Sequence, residues 1–151
     1  MAVTQSPSTE AMTAIVDRIN GGETYCLDFR AEQSEQLIDP LESPVGLRCD
    51  VVTESEETLN ETLAVEDRTS LLIRIWIRKK VDGVTSDEIA PLKLLVRQIF
   101  QRVNNFDSSD GRVKVWECDY DTKDNPNKDA LNQAWLFVSS ILLRVEVEAS
   151  A

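Results

Sequence analysis

Hydrophobic and polar residues alternate most cleanly in Leu72-Ile73-Arg74-Ile75-Trp76-Ile77-Arg78. Ile73, Ile75 and Ile77 fall on one side there, and Arg74, Trp76 and Arg78 on the other. Period two marks a strand with one buried face, so residues 70–80 are predicted as a strand. Val81-Asp82-Gly83-Val84 then supplies an Asp-Gly turn signal. Downstream the period changes to about 3.6. Leu92, Leu95, Val96, Ile99 and Val103 form one stripe, while Lys93, Arg97, Gln101 and Arg102 fall outside it. With Pro91 suited to a first turn, this predicts an amphipathic helix over 91–103. Met12, Ile15, Val16 and Ile19 repeat the spacing nearer the N-terminus, with Ser8 or Thr9 as cap and Asn20-Gly21-Gly22 as stop.

Weaker patterns predict the remaining elements. Tyr25, Leu27 and Phe29 alternate with Cys26 and Asp28 as a short strand, and residues 45–52 and 113–118 read as two more. Trp135, Phe137, Ile141, Leu143, Val145 and Val147 hold the odd positions of a long closing strand. Leu136, Val138 and Leu142 make its first half apolar on both faces, as expected of a strand covered on both sides; a helical start over 131–138 is the alternative. Residues 31–44, with Pro40 and Pro44, and 119–133, around Pro126, read as polar loops. The acidic stretch 54–68 fits a long loop or a projecting hairpin, and periodicity does not choose. The expected fold is α+β: a mostly antiparallel sheet with two amphipathic helices packed on one face. It forms a single domain over 10–148 behind a disordered lead over 1–9.

Composition narrows the functional classes. A chain of 151 residues, 42% hydrophobic, supports one core rather than two. Its apolar runs fall short of the ~20 residues that span a bilayer. Met1 to Glu10 lacks the basic and apolar regions of a signal peptide, so residence in the cytosol of the producing cell is expected. The net charge of -11, from 27 acidic and 16 basic residues, repels a phosphate backbone. Specific nucleic-acid binding is therefore not expected. Such a surface either serves solubility or lies close to DNA without sticking to it.

Candidate chemistry is sparse. The chain has no histidine, so a serine or cysteine nucleophile would lack its usual base. Cys26, Cys49 and Cys118 are far apart and read as small buried hydrophobes rather than zinc ligands. Asp119-Tyr120-Asp121 with Asp124 and Asp129 fails as a calcium loop, because Asp124 and Ala130 stand where glycine and glutamate are required. Glu54, Glu56 and Glu57 read as a solvated acidic segment. No catalytic residue, metal ligand or cofactor site is assigned, and enzymatic activity is not expected. Trp76 between Arg74 and Arg78 has the composition of an interface hot spot; the rival is a face covered by the chain's own helix. Trp116 and Trp135 are assigned to the core by default.

The order of helix, strands, a long Arg/Trp-bearing strand, helix, strand and long closing strand resembles the tail-terminator (tail-completion) proteins of tailed bacteriophages. The resemblance spans residues 14–147. Its carriers are Ile15-Val16-Asp17-Arg18-Ile19, the strand 71–80, the helix 91–103 and the closing strand 137–147. It implies a structural protein of the virion neck or tail, assembled in the host cytoplasm as a ring, usually a hexamer. Such a ring ends the tail tube and joins it to the head connector. The implied partners are further copies of the chain, the tail tube protein and the head-tail connector, with no membrane and no cofactor. On this reading Arg74, Trp76 and Arg78 are the candidate interface, and Glu54, Glu56 and Glu57 a candidate lumen lining or acidic loop. Two rivals stay open. An acidic DNA mimic predicts carboxylates along one elongated face, and a small Asp/Glu enzyme predicts a pocket of converging carboxylates with raised pKa.

Overall fold

The computed structural model describes residues 6–21, 24–39, 42, 44–59, 68–83, 85–120 and 127–148. Its elements run α1 (Pro7–Asn20), β1 (Ala31–Ser34), β2 (Arg48–Leu59), β3 (Arg68–Lys80), α2 (Ser86–Val103), β4 (Val113–Tyr120), α3 (Lys128–Ala134) and β5 (Leu136–Glu148). The strands form one sheet in the order β1-β2-β3-β5-β4. Only the short β1 pairs in parallel, with β2; the other neighbours are antiparallel. The fold is therefore α+β with a mostly antiparallel sheet. Among the described residues, no helix is long and apolar enough to cross a membrane.

The alternation in β3 sets the layers. Ile73, Ile75 and Ile77 are fully buried beside Phe137, Ile141, Leu143 and Val145 of β5. Met12, Ile15 and Ile19 of α1 and Leu92, Leu95 and Ile99 of α2 close over them as one core. Each such side chain contributes about 1.5–3 kcal/mol through removal from water. Helix α1 lies over β1 and β2, and α2 over β5 and β4. The opposite face carries a smaller cluster, in which Ala130 of α3 packs with Val52, Trp76, Leu136 and Val138.

Several boundaries differ from expectation, each for a local reason. Helix α1 starts at Pro7, so residues 7–9 are helical rather than part of the lead. Ser6 caps it, its Oγ accepting from Thr9 N at 3.2 Å, and proline fits the first turn because the N–H it lacks is not needed there. Residues 1–5 lie outside the described residues. Helix α2 starts at Ser86, which puts Pro91 inside it. Asp87 and Glu88 favour the earlier start by meeting the positive end of the helix dipole.

The strand expected at Tyr25 to Phe29 is not one. These aromatics pack onto the core without ladder pairing, Tyr25 donating its hydroxyl to Ile19 O at 2.7 Å. The strand forms next door as β1, where Asn20 bonds both the N–H and the C=O of Ala31. The acidic stretch resolves as a hairpin arm: 54–59 continue β2 against 68–72 of β3, with a bulge between Thr53 and Ser55. Residues 60–67 lie outside the described residues, as do 121–126 with Asp121, Asp124 and Pro126. The loop expected over 119–133 holds helix α3, capped by Asn127, whose side chain accepts from Ala130 N at 3.0 Å. Trp135 ends that helix in the left-handed region at φ 49, rather than opening β5.

Candidate functional site

Strand alternation delivers Arg74, Trp76 and Arg78 together to the sheet face away from α1 and α2, and the chain itself fills that face. Trp76 is 7% exposed, packed with Val138, Ala130 and the partly buried Ile38. The Arg78 guanidinium is buried. Its Nη2 lies 3.1 Å from Asp50 Oδ2, and its Nη1 donates to the carbonyls of Asp39 at 3.2 Å and Glu42 at 3.3 Å. Asp50 also accepts from Arg48 at 2.9 Å, and Arg48 reaches Glu32 at 2.8 Å. The relay Glu32–Arg48–Asp50–Arg78 thereby ties β1, β2 and β3 to the main chain at Asp39 and Glu42. Arg74 lies 5.1 Å over the Trp76 ring, pairs with Glu54 and donates to Ser140 Oγ at 2.8 Å. Sequence reasoning found the Arg/Trp trio and missed Asp50. The signal for Asp50 was its place between the inward-facing Cys49 and Val51, on the side shared with Trp76.

The acidic residues divide. Glu54 is taken up by Arg74, whereas Glu56 and Glu57 are exposed and form no ion pair among the described residues. They sit on a strand edge left open among the described residues, because β1 ends where Ser34 meets Val52 while β2 continues with β3 on its other side. Charge on an open strand discourages indiscriminate strand pairing. A shallow cavity of about 260 Å³, lined by Ser8, Met12, Ser34, Glu35, Thr53 and Glu56 among others, lies alongside. Among the described residues no group of acidic and cysteine side chains is placed to hold a metal ion.

Tryptophan burial runs opposite to expectation. Trp116 is 49% and Trp135 52% exposed. Val113 and Val115 point into the core, so the even position 116 points out, and a bulge between Val115 and Glu117 holds it there. The Lys114 amine covers the Trp116 ring at 4.4 Å, and Glu117 pairs with Arg144 at 3.4 Å. On the helical side, Arg18 and Arg102 each donate Nε to the other's main-chain carbonyl at 2.9 Å. Two helix C-termini converge there, and the paired guanidinium groups offset their negative ends.

The cysteines also separate. Only Cys49 is buried; Cys118 is half-buried and Cys26 exposed, in contrast to the three buried residues expected. Burial raises the Cys118 thiol to about 12 and pushes Cys49 up as well. Alkylation needs the thiolate and access to it. At pH 8, iodoacetamide is expected to label Cys26 first and Cys118 far more slowly. Cys49 should react only on unfolding, all three being followed by peptide mass spectrometry. Early labelling of Cys49 would contradict its placement under α1.

No family model and no curated protein matches the chain. Among solved structures, its fold is similar to that of a chain in the "Virion of native gene transfer agent (GTA) particle". The TM-score is 0.58 at 12% sequence identity. The likeness covers 96% of this chain and 100% of that one, so the two share the path of the whole fold rather than a fragment of it.

Proposed function

We propose that this chain is a structural virion protein of a phage-like neck or tail. In this reading it assembles as a ring, hexameric by preference, that ends the tail tube and joins it to the head connector. The observation that carries the reading is the end-to-end fold likeness to a chain of a virion particle, with almost nothing left over on either side. The charge of -11 supports it, because an acidic ring lets DNA pass without adhering. Glu56 and Glu57, exposed on the β2 edge, are the carboxylates best suited to an acidic surface of the ring. Arg74, Trp76 and Arg78 act within the subunit in this scheme, bracing the outer sheet face. Contact with tube and connector falls to exposed apolar groups such as Trp116 and Trp135. The protein works by docking and catalyses no reaction.

The test is particle mass by light scattering over a range of protein and salt concentrations, with negative-stain images of the same sample and of tail tubes mixed with the protein. Rings in solution or on tube ends are expected. A chain that stays monomeric and leaves tube ends bare overturns the reading.

A further inference from the structure

Charge is segregated along this chain. No basic residue lies between Arg48 and Arg68, and no acidic residue between Glu88 and Asp107. The fold places the described residues of these two stretches on different flanks. The first supplies the open edge of β2, where Glu56 and Glu57 are exposed. The second is almost all of α2, which packs over β5 and β4. With β3 and β5 between them, β2 and β4 lie about 14 Å apart at roughly 4.8 Å per strand. The outward stripe of α2 holds Ala90, Lys93, Leu94, Arg97 and Gln101, all exposed, with Leu94 at 48%. Neither Lys93 nor Arg97 forms an ion pair among the described residues, and neither does Glu56 or Glu57.

We propose that the α2 stripe centred on Lys93, Leu94 and Arg97 is the docking site for the Glu56–Glu57 edge of β2 from a second copy of this chain. The proposal rests on the ring reading above and names the surfaces that make the ring. Charge decides the geometry. Two acidic edges repel each other, as do two basic stripes, so a two-fold contact between like flanks is disfavoured. Unlike flanks attract, and a contact between different patches repeats head to tail, closing into a ring when the rotation allows. Leu94 gives the contact an apolar centre, and the methylene stems of Lys93 and Arg97 can lie along it with their charged heads at the rim. An exposed contact of this kind weakens as salt screens it over roughly 10 Å.

Two double variants test the pairing. Lys93→Glu/Arg97→Glu has two acidic flanks, and Glu56→Lys/Glu57→Lys has two basic ones. Neither alone is expected to assemble at concentrations where the wild type is fully in rings. An equimolar mixture is expected to regain the wild-type particle mass, because alternating copies restore every unlike contact around an even-membered ring. The milder Lys93→Ala/Arg97→Ala should weaken association about tenfold, the combined worth of two exposed ion pairs. Circular dichroism checks that the variants keep the fold, as exposed positions should. Rings formed by either reversed variant alone, or a mixture that stays unassembled, overturn the pairing while leaving the ring reading in place. A wild-type chain that never assembles, alone or on tubes, overturns both.

Discussion

Asp50→Ala is expected to destabilise the fold by about 3–5 kcal/mol, an effect out of proportion to the few atoms removed. Asp50 is 2% exposed, and its carboxylate is the only acidic partner of the buried Arg78 guanidinium among the described residues. Without it, Arg78 keeps, among the described residues, only the main-chain carbonyls of Asp39 and Glu42, and its Nε already has no partner among them. The charge would then be buried and uncompensated, or would have to move out to water and give up its bonds to Asp39 and Glu42. Replacing both partners behaves differently, because the desolvation cost of both charges disappears along with their attraction. Asp50→Ala/Arg78→Met is therefore expected to recover most of the loss. The measurement is urea unfolding of the wild type, both single variants and the double variant, read as a double-mutant cycle. A single variant within about 1 kcal/mol of the wild type would show that Arg78 finds equivalent solvation elsewhere.

The parts of this fold that were legible in the sequence share one property: many residues repeating one period. β3, with three isoleucines in register, and α2, with five apolar residues on one stripe, stand out from the linear pattern. From them the α+β class follows. Elements too short to show a period did not stand out. β1 is only Ala31–Ser34, held by the Asn20 side chain and by β2 rather than by its own composition. Helix α3 spans Lys128–Ala134 in a polar stretch, and the pattern offered it only as the alternative of a helical start over 131–138, of which 131–134 are helical. The sheet order was hidden for another reason. Placing β5 between β3 and β4 is a long-range choice that leaves no local trace. At the candidate site, the Arg74/Trp76/Arg78 face was found from alternation alone. What covers it was not, because Ile38 and Ala130 come from distant parts of the chain.

That cover turns Trp76 into a test of folding before it is a test of assembly. Trp76→Ala is expected to cost about 3–5 kcal/mol, since the indole fills the smaller cluster between Val52, Val138 and Ala130 and leaves a cavity when removed. It also strips Arg74 of the ring beneath its guanidinium, a smaller loss of about 0.5–2 kcal/mol. A charged substitution there is expected to prevent folding, so reduced self-association in such a variant would say nothing about an interface. Trp116→Ala and Trp135→Ala provide the contrast. Half of each side chain already faces water, so each should stay within about 1 kcal/mol of wild-type stability. If these tryptophans dock on tube or connector, the same two variants should bind tail tubes less well while melting like the wild type. Urea midpoints and tube co-sedimentation on one set of preparations separate the outcomes. A Trp76→Ala protein that keeps its stability but loses assembly would reverse this assignment and put the indole back at a subunit contact.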